Sequence, residues 1–294
     1  MTTKTDTLKS LVDRSLDQRL PKTSTLAGPL IEVMRYSVLG GGKRLRPLLT
    51  LTTCAAAGGQ ITDAMDAACA IEFVHAYSLI HDDLPAMDND ELRHGQATAH
   101  IKFNESQAIL AGDALQTLAF QVISDSHTMD DPTKLQVLRC LSIAIGWSGM
   151  AGGQSMDMAL DGLDVSMEDI QSLHQAKTGA LIKASVEIGA ISSQKIKFGS
   201  SEFQALSEFG AMIGFAFQIV DDLLDVTKTT DQIGKPSLSD QRNQKTTIAN
   251  FLNIEEVQRL ANKTTDQAIA LLDRTTLNTE SLKNLALECA QRNH

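Results

Sequence analysis

Two runs of aspartate are the residues best suited to chemistry. His81-Asp82-Asp83-Leu84-Pro85-Ala86-Met87-Asp88-Asn89-Asp90-Glu91 carries five acids in eleven residues, and Gln218-Ile219-Val220-Asp221-Asp222-Leu223-Leu224-Asp225 carries three in eight. In the second run, residues four apart are neighbours on a helix, so Asp221 and Asp225 share a face with Gln218 on the same stripe. Phe215, Ala216, Phe217, Ile219, Val220, Leu223 and Leu224 surround them. A solvated acidic face does not suit so apolar a helix, and unpaired like charges there are strongly unfavourable, so a cation must meet them. Hard carboxylate oxygens without Cys or His select Mg²⁺ or Mn²⁺ rather than zinc. Magnesium accepts few protein carboxylates and completes its shell with water and phosphate oxygen. Two aspartate clusters facing each other therefore predict a polyphosphate held through metal bridges.

The first run has a different geometry. Asp82 and Asp88 would lie about 120° apart on an ideal helix, and Pro85 cannot sit in a helix interior without removing a hydrogen bond. The helix is expected to end or bulge at Leu84–Met87 and return Asp88 toward Asp82. Upstream, His75, Ser78 or Leu79, and Asp82 share a stripe.

Cations answer these acids. Gly40-Gly41-Gly42-Lys43-Arg44-Leu45-Arg46-Pro47 sets three cations directly after a glycine turn. No Ser or Thr follows the lysine and no strand precedes it, so it is not a Walker A loop; Lys43 and Arg46 still suit anion capture. Arg93, Lys177-Thr178, Lys235 and Lys245 are further candidates, none persuasive alone. Zinc-protease, EF-hand, nucleophile-elbow and dinucleotide motifs are absent. The single Glu72-x-x-His75 lacks the second copy a di-iron bundle requires.

The elements expected to position these groups are helices. Of six prolines none falls between Thr133 and Lys235, and the intervening sequence is rich in helix formers. Glu202 to Val226 reads as one buried helix. Alternating strand patterns and hairpin signals are missing, as are repeats and linkers. Breaks are expected near Pro21–Pro29, Leu39–Gly42, Gly58–Thr62, Leu84–Thr98, Asp125–Pro132, Gly162–Ser166, Ser192–Ser200 and Thr229–Asp240. The expectation is one all-α domain over 1–294, a bundle of roughly ten or more helices.

Composition narrows the function. The 26 Lys+Arg against 36 Asp+Glu leave a net charge of −10, and aromatics make up 4%; neither favours general nucleic-acid binding. Four separated cysteines read as buried free thiols in a reducing compartment. The N-terminus lacks the apolar core of a secretory signal, and no apolar stretch approaches the ~20 residues that span a bilayer. A cytoplasmic protein without a membrane anchor is expected.

With these residues assembled, the chain resembles the short-chain trans-prenyltransferases, specifically the bacterial farnesyl diphosphate synthases. The resemblance runs from about Ile31 to the C-terminus. It includes Gly41-Gly42-Lys43-Arg44-x-Arg46-Pro47, Ile80 to Asp88, Gly112-Asp113-Ala114-Leu115, Gly152-Gly153-Gln154, Lys177-Thr178-Gly179 and Gln218-x-x-Asp221-Asp222-x-x-Asp225. It implies an isoprenoid synthase fold around a central cavity, and a homodimer. It further implies three Mg²⁺ ions, with Mn²⁺ as a substitute, held by Asp82, Asp88 and Asp221 with Asp83, Asp222 and Asp225 close by. Arg93, Lys177, Lys235 and Lys245 would neutralise an allylic diphosphate, with Thr178 and Gln218 beside the reacting carbon. Lys43, Arg46, His75 and His94 would form the isopentenyl diphosphate site, and Tyr77 with Ser78 would set chain length. The implied reaction is 1′-4 condensation to (2E,6E)-farnesyl diphosphate with release of pyrophosphate.

Two features depart from the family pattern. His94 stands where the family usually has a second Arg, and Asp90 and Glu91 extend the first acidic run, reading as solvated loop charges. Geranyl or geranylgeranyl diphosphate synthases and a non-catalytic prenyltransferase subunit are the alternatives. A terpene cyclase would not normally carry the second aspartate run and the glycine–lysine–arginine turn, and a non-catalytic subunit tends to lose an aspartate run.

Overall fold

The computed structural model describes residues 4–160, 163, 165–227 and 247–290. Helices account for nearly all of the regular structure: α1 (Lys4–Arg19), α2 (Gly28–Leu39), α3 (Leu45–Ala56), α4 (Met65–Asp82), a short α5 (Ala99–Lys102), α6 (Glu105–Ser124), α7 (Asp131–Ile145), α8 (Met150–Ala159), α9 (Met167–His174), α10 (Ala180–Ser192), α11 (Ser201–Thr227), α12 (Ile254–Leu272) and α13 (Glu280–Ala290). The all-α architecture is as expected. Local chemistry marks the ends. Asn104 Oδ1 accepts from Gln107 N at 2.9 Å to start α6, and Asn253 and Glu256 form a reciprocal capping box at α12.

α4 and α11 organise the bundle. α4 is buried nearly all round, Ala67 through Val74 all at 5% exposure or less, because its sequence is apolar on every face. It packs on α6 and α3, while α11 packs on α10 and α12. The main core runs through α3, α4, α6 and α10. A smaller apolar cluster (Ile219, Val220, Leu223, Leu224, Ile248 and Val257 among its members) supports the C-terminal half of α11. Both aspartate runs lie at the ends of these two helices, one at the C-terminus of α4 and one in the last turns of α11.

Three expectations need correction. The loop after α4 is not strand-free: Leu92–Arg93 (β1) pairs antiparallel with Gln96–Ala97 (β2). His94 (φ 52°) and Gly95 (φ 75°) form the turn between them, both in the left-handed region that a tight two-residue hairpin demands. A two-residue ladder offers no alternation to read. Second, Ser201–Asp225 is long and apolar enough by composition to span a membrane, contrary to the sequence reading. Half of its most apolar window is buried against neighbouring helices, as in the core helix of a folded domain. Third, Asp90 is not a solvated loop charge. It is 6% exposed, its carbonyl accepts from Thr98 Oγ1 at 2.8 Å, and its carboxylate lies 3.9 Å from Arg93. The four cysteines are free thiols, three of them buried.

Candidate active site

A cavity of ≈ 1170 Å³ opens between the ends of α4 and α11, walled also by the α2–α3 turn, the hairpin, α8, the end of α9 and Lys177-Thr178 before α10. It exceeds the ~300–1,000 Å³ usual for one small ligand, leaving room for two.

The first aspartate run is shaped by the end of α4. Past Asp82 the chain reverses through Leu84–Met87, and Asp88 N donates to the Asp82 carbonyl at 2.9 Å. That bond returns Asp88 to Asp82, as the placement of Pro85 demands, and both line the cavity. Asp83 borders the same cavity, but its carboxylate is engaged. It is 3% exposed, and both its oxygens accept from Arg93 Nε at 2.9 Å. Burial, against the partial relief of Lys177 and with the repulsion of Asp88, pushes the Asp82 carboxyl up to about 6.

The second run repeats this division. Asp221, Asp222 and Gln218 all line the cavity, but the carboxylate of Asp222 is engaged. Asp222, expected with the metal ligands, is 2% exposed. Its Oδ1 accepts from Gln218 Nε2 at 2.9 Å and its Oδ2 from Ile248 N at 3.1 Å, with His174 Nε2 at 3.6 Å. Asp222 thus holds Gln218 with its amide nitrogen engaged. Asp225, expected on the cavity stripe, is 1% exposed and sits one turn on, outside the lining. A hard dication fits what remains: cavity-facing Asp82, Asp88 and Asp221 offer oxygen only. Among the described residues no three acidic, His or Cys side chains form a metal cluster by themselves, so phosphate or water oxygens must complete any shell.

Lys177 and Thr178 occupy Gln175–Gly179, a π-turn between α9 and α10. Such turns insert one residue and re-aim side chains. Two glycine contacts clamp it: a Cβ on Gly153 of α8 would come within 2.3 Å of Lys177 N, and one on Gly214 of α11 within 2.9 Å of Gly179 Cα. Lys177 Nζ donates to Asp157 Oδ2 at 2.6 Å, and Lys177, Thr178 and Asp157 all line the cavity. Lys235 and Lys245 lie outside the described residues.

On the opposite side, positive φ at Gly41 (108°), Gly42 (113°) and Arg44 (56°) turns the chain from α2 into α3. Arg44 is a strut: its Nε donates to Asp13 at 2.8 Å, Nη1 to Glu72 at 2.7 Å and Nη2 to the Val38 carbonyl at 2.8 Å. Glu72 of the lone Glu-x-x-His pattern borders the cavity but is thereby paired, and His75 lines it together with Lys43, Arg46 and His94. The hairpin tip closes this corner, since a Cβ on Gly42 would lie 3.8 Å from His94 Nε2. Burial, then Arg46, Arg93, His94 and Arg44, hold His75 well below the usual imidazole range. Burial, then Arg93, Arg44 and Lys43, lower His94 as well. Both imidazoles register a strongly positive, anion-seeking corner.

Tyr77 and Ser78 also line the cavity. Tyr77 is 8% exposed, with its ring edge-on to His81 at 5.9 Å. His81 Nε2 lies 3.0 Å from the Ile109 carbonyl of α6. It fits because position 112 is glycine; a Cβ there would come within 2.0 Å of His81 Nε2. Ser78 Oγ donates to the His75 carbonyl at 2.9 Å. Asp157 and His174 belong to none of the motifs named above, yet both line the cavity beside Gln154 of the Gly152-Gly153-Gln154 motif. The position of Asp157 one turn after Gly152-Gly153-Gln154 was the available signal.

An all-helical bundle with two aspartate runs and two cationic corners on one cavity defines a class. The chain belongs to the polyprenyl synthetase family, whose model matches residues 28–287, and it is a prenyltransferase of the isoprenoid synthase fold. It is 43% identical over 271 residues to the farnesyl diphosphate synthase of Escherichia coli (strain K12), covering 90% of each chain. Among solved structures, an FPP/GFPP synthase from Zymomonas mobilis superposes with a TM-score of 0.84 at 37% identity, covering 98% of this chain and 96% of that one. A geranyltransferase from Helicobacter pylori, complexed with magnesium and isoprenyl diphosphate, superposes with a TM-score of 0.87 at 30% identity, covering 98% and 97%.

Proposed function

We propose that this protein condenses isopentenyl diphosphate with dimethylallyl and geranyl diphosphates to give (2E,6E)-farnesyl diphosphate and pyrophosphate. The observation that carries the reading is the pairing, on one cavity, of cavity-facing carboxylates with two separate cationic corners. One corner (Arg93, Lys177) suits the diphosphate that leaves and the other (Lys43, Arg46, His75, His94) the diphosphate that stays. Asp82, Asp88 and Asp221 would hold Mg²⁺, with Asp225 beside them and Asp83 and Asp222 acting through Arg93 and Gln218. Three ions per site, with Mn²⁺ as a substitute, belong to the same proposal. Bound Mg²⁺ supplies charge neutralisation to the departing diphosphate.

The chain's own groups do the rest. Lys177, anchored by Asp157, and Arg93, anchored by Asp83, meet the negative charge that grows as the allylic C–O bond breaks and its electron pair leaves with pyrophosphate. Thr178 Oγ1 and the Gln218 carboxamide oxygen face the allylic carbons as dipoles. The terminal alkene pair of isopentenyl diphosphate forms the new C–C bond, and a proton leaves the adjacent carbon to pyrophosphate. Apolar wall residues such as Phe217, Leu224 and Leu79 exclude water that would trap the cation. Tyr77, about 7.5 Å down α4 from Asp82, would close the tunnel at fifteen carbons with Ser78 beside it.

The proposal takes 1–294 as one cytoplasmic catalytic domain that works as a homodimer. Support for pairing is the exposed apolar side chains of α6, α7 and the residues just after it: Leu110 is 50% exposed, Leu135 68%, Ile143 54% and Trp147 89%. Incubation with Mg²⁺, isopentenyl diphosphate and geranyl diphosphate, followed by mass analysis, tests the reading. A C15 diphosphate is expected. A C20 product would favour a geranylgeranyl synthase, and no product a non-catalytic subunit.

A further inference from the structure

Six residues of α8 line the cavity, and among them Met150, Gln154 and Asp157, spaced by four and three, form one stripe beside Ala151, Ser155 and Met158. The stripe grades from apolar to charged. Met150 belongs to the hydrophobic core, and Asp157 binds Lys177 Nζ at 2.6 Å at the diphosphate end. Gln154 lies between them, about 4.5 Å along the axis from Asp157 and about 6 Å from Met150. Its neighbour Gly153 sits directly on the Lys177 backbone, so the Gln154 side chain emerges beside the π-turn that carries Lys177 and Thr178.

Both polar atoms of Gln154, Oε1 and Nε2, are shielded from solvent and make no hydrogen bond. Buried carboxamides are normally satisfied, and one that is not requires an explanation. Packing does not supply it, because a leucine or methionine would fill the same space without an unsatisfied dipole. A ligand that arrives at that level would.

We propose that Gln154 is a catalytic residue whose carboxamide oxygen faces the allylic cation where hydrocarbon meets diphosphate. The inference rests on the prenyl-transfer reading above and adds to Thr178 and Gln218 a third oxygen dipole, from a different wall. A dipole fixed before the reaction stabilises charge that exists only in the transition state, so its loss should appear in kcat and not in substrate affinity.

The test is Gln154→Leu, assayed with isopentenyl diphosphate and geranyl diphosphate at saturating Mg²⁺ in steady-state and single-turnover experiments. The expected result is a kcat and a single-turnover rate lowered by roughly 30- to 100-fold, with both KM values within about threefold. Thermal unfolding of the ligand-free variant is expected at or above the wild-type temperature, since an orphaned dipole has gone. A merely structural residue would instead lower that temperature. Unchanged single-turnover rates, or a loss confined to KM, would overturn the proposal. Should Gln154→Leu fail to fold, Gln154→Asn keeps the carboxamide and withdraws it by one methylene; wild-type turnover in that variant also overturns it. Wild-type protein that forms no carbon–carbon bond overturns the underlying reading and this inference with it. An active wild type beside an equally active Gln154→Leu overturns the inference alone.

Discussion

Within each Asp-Asp pair the two carboxylates do different work. All four line the cavity, but Asp83 and Asp222 are almost wholly buried, paired with Arg93 and with Gln218 and the Ile248 amide. Asp82→Ala and Asp221→Ala are therefore expected to lower turnover by at least ~10³-fold with helical content unchanged by circular dichroism, because cavity-facing oxygens for Mg²⁺ are lost. Asp222→Asn should cost less, since an amide still accepts from the Ile248 N–H. Metal-free stability carries the opposite sign at Asp82. Its folded carboxyl is raised to about 6 from 3.8, so ionisation opposes folding above pH 6, and the penalty disappears below both values. Asp82→Asn should thus stabilise the metal-free protein at pH 8 by up to about 3 kcal/mol, with the gain fading toward pH 4. Chemical denaturation at the two pH values measures it. His94 is lowered by burial and neighbouring cations, so it stays neutral at pH 7 and gains charge only below its ordinary ~6.5. His94→Arg should then lower the KM for isopentenyl diphosphate at pH 8, by about threefold to tenfold, and by less as pH falls toward 6. Equal KM values across that range would remove His94 from the substrate site.

At the scale of elements, the π-turn and the end of α4 set the geometry of the site. Gly153 lets α8 rest on the Lys177 backbone, where a methyl would come within 2.3 Å. Gly153→Ala must push α8 and the π-turn apart, with an expected loss of about 1–3 kcal/mol in stability. Its effect on kcat should be larger than stability alone explains, because Lys177, Asp157 and Thr178 shift together. Measuring kcat well below the unfolding temperature separates the two effects. The floor proposed for the tunnel lies on α4. Tyr77 is braced edge-on by His81, and His81 reaches the Ile109 carbonyl over Gly112. Tyr77→Ala removes the aromatic without disturbing that brace, and products longer than C15 are expected from geranyl and farnesyl primers. An unchanged C15 product would leave Tyr77 as ordinary core.

At the scale of the molecule, the exposed apolar face on α6 and α7 predicts association. Ile143 is 54% exposed in the last turn of α7, and Trp147 is 89% exposed just beyond its end. Trp147→Glu with Ile143→Glu places two charges in that face. The wild type is expected to sediment as a dimer and the double variant as a monomer; identical sedimentation of the two would overturn the assignment of this face. Because α6 also carries the Ile109 carbonyl that meets His81, some loss of turnover should accompany dissociation.

Much of this protein was legible in its sequence because the signals are local. Proline-free runs of helix formers specify helices. The Asp221–Asp225 spacing specifies a helical carboxylate face, and Pro85 specifies the reversal that returns Asp88 to Asp82. The glycine turn before Lys43 is equally local, since only a residue free to adopt positive φ turns the chain there. What the tertiary structure alone decided are relations between segments far apart in the chain. That Asp83 and Asp222 hold other side chains depends on a hairpin ten residues on and on the Ile248 amide after the end of α11. The burial of Asp90 and the pairing of Glu72 with Arg44 have the same origin. Asp157 meets Lys177 because Gly153 lets α8 rest on the Lys177 backbone, and the unsatisfied carboxamide of Gln154 is likewise a product of packing. Spacing along one helix sets which residues share a face, but only packing between helices sets what that face meets.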